Sequence, residues 1–117
     1  MIKRIAVVVA ACALAGNVLA AGNAEGGKAL SVACGACHGA DGNSLAPTFP
    51  KLAGQHESYL LKQLKDIKSG ARSVPTMAGQ LDAMSEQDLA DIAAYYAAQA
   101  GTPGVAKEEL VELGESV

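Results

Sequence analysis

Tryptophan is absent from this chain, and one phenylalanine and three tyrosines make up its whole aromatic supply across 117 residues. Aromatic side chains contribute much of the apolar area of small cores, so a domain built from this Ala- and Gly-rich sequence has little with which to fill its interior. No stretch alternates apolar and polar residues as a half-buried strand does, which leaves nothing from which to build a sheet. Metal-ligating side chains are equally scarce. The only cysteines and histidines are Cys12, Cys34, Cys37, His38 and His56, so a closed four-ligand zinc site would need carboxylates or a second chain. Positive charge is also in deficit: the formal charge is −3, and an acidic balance disfavours nucleic acid as a partner. There are no internal repeats, and the apolar run at residues 5–15 is too short for a membrane-spanning helix.

What is present centres on Cys34-Gly35-Ala36-Cys37-His38, which puts two thiols and an imidazole within five residues. That is the attachment pattern of c-type haem. Two cysteines three apart on the last turn of a helix can each form a thioether to a porphyrin vinyl group, and the adjacent histidine then reaches the iron. Zinc, a redox dithiol and a plain disulfide compete for the same motif. Zinc lacks its remaining ligands, and a thioredoxin-like dithiol follows a strand in a βαβ pattern that is missing here. Haem attachment needs reduced thiols, so a lasting Cys34–Cys37 disulfide is not expected. One motif sets a limit of one haem, and a buried macrocycle would supply the interior that the side chains do not.

Ahead of the motif, Met1-Ile2-Lys3-Arg4 and the apolar residues 5–15 have the form of a secretory leader, with Val18-Leu19-Ala20 placing cleavage after Ala20. Residues 1–20 are therefore read as a signal peptide. A second reading is a lipoprotein signal at Val9-Ala10-Ala11-Cys12, with Cys12 acylated as an anchor. Either leader takes the chain out of the cytoplasm, and with a c-type motif behind it the expected compartment is a bacterial periplasm.

Behind the leader, a first helix is expected over residues 24–37 with Asn23 as N-cap. Gly26 and Gly27 weaken it by roughly 1 kcal/mol each, which suggests that another backbone packs closely there. Residues 39–54, with Gly39, Gly42, Pro47 and Pro50, read as a loop. A helix follows to Ser69, carrying Tyr59, Leu60, Leu64 and Ile67 on one stripe and ending at Gly70. His56, at its start, is a rival iron ligand on paper, though solvated helix-start histidines are commoner. Residues 71–84 form a second loop in which Met77, between Pro75 and Gly79, can lay a thioether over a flat ring. Met84, just before a helix, is the more natural core filler. That last helix begins at Ser85, forms a capping box with Asp88, and runs to about Gln99 with Leu89, Ile92, Ala93 and Tyr96 on its apolar face. Beyond Gly101 and Pro103, residues 104–117 form an acidic tail with a faint apolar pattern at Leu110, Val111 and Leu113.

Removing Lys3 and Arg4 with the leader takes the formal charge from −3 to −5. Residues 51–72 are nevertheless net basic through Lys51, Lys62, Lys65, Lys68 and Arg72, while residues 73–117 are strongly acidic. No acid/base or nucleophilic constellation accompanies them, so the chain reads as a carrier and not an enzyme.

The pieces Cys34-Gly-Ala-Cys37-His38-Gly-Ala-Asp-Gly-Asn, Phe49-Pro50-Lys51-Leu52-Ala53-Gly54-Gln55, Arg72 through Met77-Ala78-Gly79, and Leu89-Ala-Asp-Ile92-Ala-Ala-Tyr95-Tyr96 together resemble a small class I cytochrome c of bacteria. The similarity is to the periplasmic group that occurs as single-haem domains and as tandem two-haem proteins. It implies an all-α fold of three main helices, with long loops wrapped around one haem c bound through Cys34 and Cys37. It further implies that His38 and Met77 ligate the iron, that the Pro50 carbonyl accepts the His38 Nδ1 proton, that Leu52 packs on the porphyrin, and that Gly26 and Leu30 meet Tyr95 or Ile92 where the first and last helices cross. The domain would occupy residues 21–103. The implied function is one-electron transport between redox proteins such as a terminal oxidase, reductase or dehydrogenase. Two alternatives stand beside it: the cytochrome subunit of a dehydrogenase complex, and a haem sensor or peroxidase with an open distal site. The acidic extension after Gly101 departs from the family pattern.

Overall fold

The computed structural model describes residues 21–115; the leader expected at residues 1–20, with Cys12 and its lipid anchor, lies outside the described residues. Every regular element among the described residues is helical: α1 Ala24–Leu30, α2 Gly35–His38, α3 Glu57–Ser69, α4 Glu86–Ala97 and α5 Glu108–Glu115, with a single 3-10 turn at Pro75–Met77. None of them is long and apolar enough to cross a membrane.

The scaffold is α4, against which α1 and α3 both pack. Its N-terminus is fixed by the capping box: Ser85 Oγ accepts from Asp88 N, while the Asp88 carboxylate accepts from Ser85 N at 2.7 Å. Leu89, Ile92 and Tyr96 lie within 2 % of full burial on its inner face, interleaved with buried Ala90, Ala93 and Ala94. The alanines let other helices come near. At the crossing with α1, a Cβ added to Gly27 would lie 1.9 Å from the Asp91 carbonyl oxygen and 2.8 Å from Tyr95 Cβ. Only glycine fits. The tight glycine is thus Gly27 rather than Gly26, whose added Cβ would meet only the end of the Asp91 side chain at 3.1 Å. Asp91 secures the same crossing by accepting from Asn23 N at 2.8 Å.

The first helix is shorter than its sequence suggests. Residues 24–37 do not run as one helix, because Ser31 Oγ turns back to donate to the Gly27 carbonyl at 2.7 Å and the chain proceeds through a tighter turn. At the start of α2, Ala36 N and Cys37 N bond three residues back, to Ala33 O and Cys34 O. Serine hydroxyls that bond to the preceding turn tend to bend helices. The second departure is at the tail, where residues read as barely patterned form α5 with Leu110 and Val111 exposed.

The buried centre is small: Leu60, Ile92, Ala93 and Tyr96 form it, with Leu30, Cys34, Leu52, Leu61, Leu64 and Met84 packed around them and only partly covered. Met84 is therefore a core filler, as its position before α4 suggests.

Candidate functional site

The two loops and α2 carry the site. α2 ends at Gly39, whose φ of +80° reverses the chain, and His38 N bonds to Cys34 O at 3.0 Å. The motif is thereby held as one turn. Both thiols are free, Cys34 half-buried and Cys37 exposed. Burial pushes the Cys34 thiol above its ordinary pKa, and its own backbone and the Tyr96 hydroxyl pull it partly back.

His38 is 8 % exposed, and its Nδ1 lies 2.9 Å from the Pro50 carbonyl oxygen. A carbonyl can only accept, so Nδ1 carries a proton, and in the neutral ring the lone pair then falls to Nε2. The Phe49 ring meets the imidazole edge-on, centroids 6.2 Å apart at 66°. The ring is fixed in tautomer and in plane.

The loop at 39–54 reaches that carbonyl through its own hydrogen bonds. The Gly42 carbonyl accepts from Leu52 N at 2.8 Å and from Ala53 N at 3.2 Å, and Ser44 N donates to His38 O at 2.9 Å. Gly42 takes φ +79°, and a Cβ there would lie 2.7 Å from Tyr96 Cδ1. Asn43 ties the loop to the chain beyond α4: its Nδ2 donates to Ala100 O at 2.9 Å and its Oδ1 accepts from Thr102 N at 2.7 Å. Tyr95 Oη donates to Ala40 O at 2.9 Å on the other side. In the sequence Asn43 is only one more turn former, because its long-range partners are backbone atoms that no motif marks.

The structure brings Cys34, His38, Pro50 and Leu52 around the junction of α2, the first loop and α4, with Leu52 packed on the Leu60, Ile92, Ala93 and Tyr96 cluster. Met77 is placed by the other loop. It closes the 3-10 turn Pro75–Met77, half-buried, and lines a cavity of about 170 Å³ with Ile67, Val74, Pro75 and Leu81. His56 is exposed as the residue before α3, and its side chain does not cap that helix.

These residues fit a haem. Two free thiols precede an imidazole whose Nδ1 is engaged by the Pro50 carbonyl, a thioether sits on a second loop, and Phe49, Leu52, Leu64, Ile67, Val74 and Met77 remain only half-covered by protein. The Tyr96 hydroxyl adds a further sign. Tyr96 is 1 % exposed, yet its Oη has no hydrogen-bond partner. Ser31 and Cys34 are near enough to influence its ionisation, but neither meets it in bonding geometry.

Comparison with known proteins agrees. The cytochrome c family model matches residues 24–98. Cytochrome c4 of Pseudomonas aeruginosa is 59 % identical over 104 residues, covering 89 % of this chain and 52 % of that protein. Cytochrome c-554(548) of Halomonas halodenitrificans is 42 % identical over 82 residues, covering 68 % of this chain and 99 % of that protein. The crystal structure of reduced recombinant cytochrome c4 from Pseudomonas stutzeri superposes with a TM-score of 0.78 at 54 % identity, over 82 % of this chain and 55 % of that one. The chain spans about half the length of the cytochromes c4 that it matches. With the match running from α1 through α4, the chain belongs to the class I cytochrome c family, whose domain carries haem c bound covalently through the Cys-x-x-Cys pair.

Proposed function

We propose that this chain carries single electrons between periplasmic redox partners, with Cys34 and Cys37 as the thioether attachments and His38 and Met77 as the axial ligands of its haem. The observation that supports this best is the 2.9 Å contact from His38 Nδ1 to the Pro50 carbonyl, beside two free thiols. Haem iron supplies the one-electron couple. The residues set its conditions. With its proton held at Nδ1 by the Pro50 carbonyl, His38 would offer Nε2 to the iron and be the better donor for it. The Met77 thioether, as an iron ligand, would favour the ferrous state, and the apolar residues of α3 and the two loops would disfavour the extra charge of the ferric state by keeping water away. Leu52 is assigned to packing on the porphyrin. No side chain in this arrangement needs to gain or lose a proton when the electron moves, which suits a carrier better than an enzyme.

Exposed Leu45 and Cys37, next to this site, suit brief contact with another redox protein such as an oxidase, reductase or dehydrogenase. Absorption spectra of the mature protein test the ligand set. With Met77 bound, the ferric form shows a weak near-infrared thioether-to-iron charge-transfer band, and the ferrous form resists carbon monoxide. Met77→Ala abolishes both and Met84→Ala abolishes neither. If carbon monoxide binds the wild-type ferrous protein readily, the distal position is open and a sensor or peroxidase becomes the better reading.

A further inference from the structure

Tyr96 Oη is the one buried side-chain polar atom without a partner among the described residues. A hydroxyl sealed from water and left unpaired bears its whole desolvation penalty. Phenylalanine would fill the same space without it, so the hydroxyl calls for an acceptor that arrives after the chain has folded.

Four side chains act on it, Cys34 and Ser31 ahead of Tyr95 and Asp41. The Ser31 hydroxyl already commits its proton to the Gly27 carbonyl at 2.7 Å. Cys34 packs against the cluster that contains Tyr96. The interaction runs both ways: the Tyr96 hydroxyl eases ionisation of the Cys34 sulfur against the larger effect of burial, and Cys34 opposes ionisation of Tyr96, second to burial. As a free thiol, Cys34 has a proton of its own to place. Addition of the thiol across a haem vinyl group would form the C–S bond at one vinyl carbon and pass the thiol hydrogen to the other, leaving a thioether that can only accept.

We propose that the Tyr96 hydroxyl donates a hydrogen bond to the thioether sulfur of Cys34 in the haem-loaded protein and thereby raises the reduction potential. Tyr96 acts as a positioning residue: it touches neither iron nor partner. It works by aiming the positive end of an O–H dipole at the rim of the porphyrin, where it opposes the additional charge of the ferric state. The inference rests on haem attachment at Cys34, which is checked first: visible absorption must stay with the polypeptide after denaturation. Loss of that signal would sink the attachment reading itself, separately from the role of Tyr96.

The test uses the holoprotein, its Tyr96→Phe and Ser31→Ala variants, redox titration, and resonance Raman spectra in H2O and D2O. At the ambient potential of the wild-type midpoint, Tyr96→Phe is expected to lower the ferrous-to-ferric ratio about threefold, or about 28 mV at 59 mV per tenfold for one electron. Ser31→Ala leaves the midpoint unchanged. The thioether C–S stretch of the wild type shifts on deuteration of the phenol, and that of Tyr96→Phe does not. An unchanged potential in Tyr96→Phe, a wild-type C–S mode indifferent to D2O, or a Ser31→Ala variant that reproduces the lowered potential would each overturn the proposal.

Discussion

Gly26 and Gly27 are neighbours with opposite fates. In a helix interior each is worse than alanine by roughly 1 kcal/mol, but only at Gly27 does an added methyl meet backbone, 1.9 Å from Asp91 O. Gly27→Ala is therefore expected to destabilise by at least about 2 kcal/mol through forced separation of α1 and α4, while Gly26→Ala stays near neutral. Urea denaturation of the two variants decides it, and equal losses would mean the crossing is not the constraint. A second residue-scale effect comes from Tyr96, whose pKa is pushed up to about 12, chiefly by burial. Since the folded value exceeds the unfolded one, the contribution of the neutral phenol is complete below pH ~10 and is lost as pH rises toward ~12. Between those limits the wild type should lose on the order of 2 kcal/mol more stability than Tyr96→Phe. Burial is the leading cause, so the effect survives conversion of Cys34 to a thioether.

Among the elements, α4 is the one on which α1 and α3 both pack, and its start is therefore the place to perturb. Ser85→Ala removes the oxygen that accepts from Asp88 N at 3.1 Å and should cost about 1 kcal/mol. Asp88 answers this with a carboxyl held below the usual carboxylate range by the Ser85 backbone and hydroxyl. A depressed folded value means that the carboxylate stabilises above its unfolded pKa and ceases to do so as pH falls through the folded one. The penalty of Ser85→Ala, measured by thermal unfolding, should therefore shrink in acid. The loop at 39–54 is an element in its own right although it has no regular structure. Its shape depends on Gly42 at positive φ, on Asn43 reaching Thr102, and on the hydrogen bond from His38 to Pro50.

For the whole molecule, the basic segment identified in the sequence is partly engaged. Lys62 pairs with Asp66 and Lys65 with Glu86, Arg72 donates to Gln63 at 2.6 Å, and Lys51 donates to the Thr102 carbonyl at 2.8 Å. Exposed pairs of this kind are worth about 0–1 kcal/mol, so these side chains can turn toward an approaching partner at little cost. The rate of electron transfer to an acidic partner is expected to fall as ionic strength rises to physiological values, where screening limits the field to about 8 Å. Charge reversal at Lys62 and Lys65 should lower that rate without altering the spectrum. A rate that rises with salt would assign the encounter to the acidic surface instead. We also propose that the folding unit ends near residue 103. Contacts from Asn43 and Lys51 hold the chain as far as Thr102, whereas Val105 is fully exposed and α5 presents Leu110 and Val111 to solvent. Removal of residues 104–117 should leave the melting temperature unchanged, and a clear drop would place α5 within the domain.

The sequence by itself determined the chemistry, because covalent attachment is written in the spacing of Cys34, Cys37 and His38 and depends on nothing distant. It also determined the helices at α3 and α4, whose caps and stripes are local, and it marked residues 26–27 as a place where something approaches. Tertiary structure alone decided which of those glycines is irreplaceable, since that depends on the exact height at which α4 crosses α1. It decided that Ser31 would break the first helix, a choice between two bonding partners that local propensity leaves open. It also closed loops that sequence leaves undefined, joining Asn43 to Thr102 across 59 positions and bringing Tyr95 to Ala40 across 55. Tyr96 belongs to both levels. Its place on the apolar face was legible from periodicity, but its hydroxyl became a question only when folding buried it without a partner.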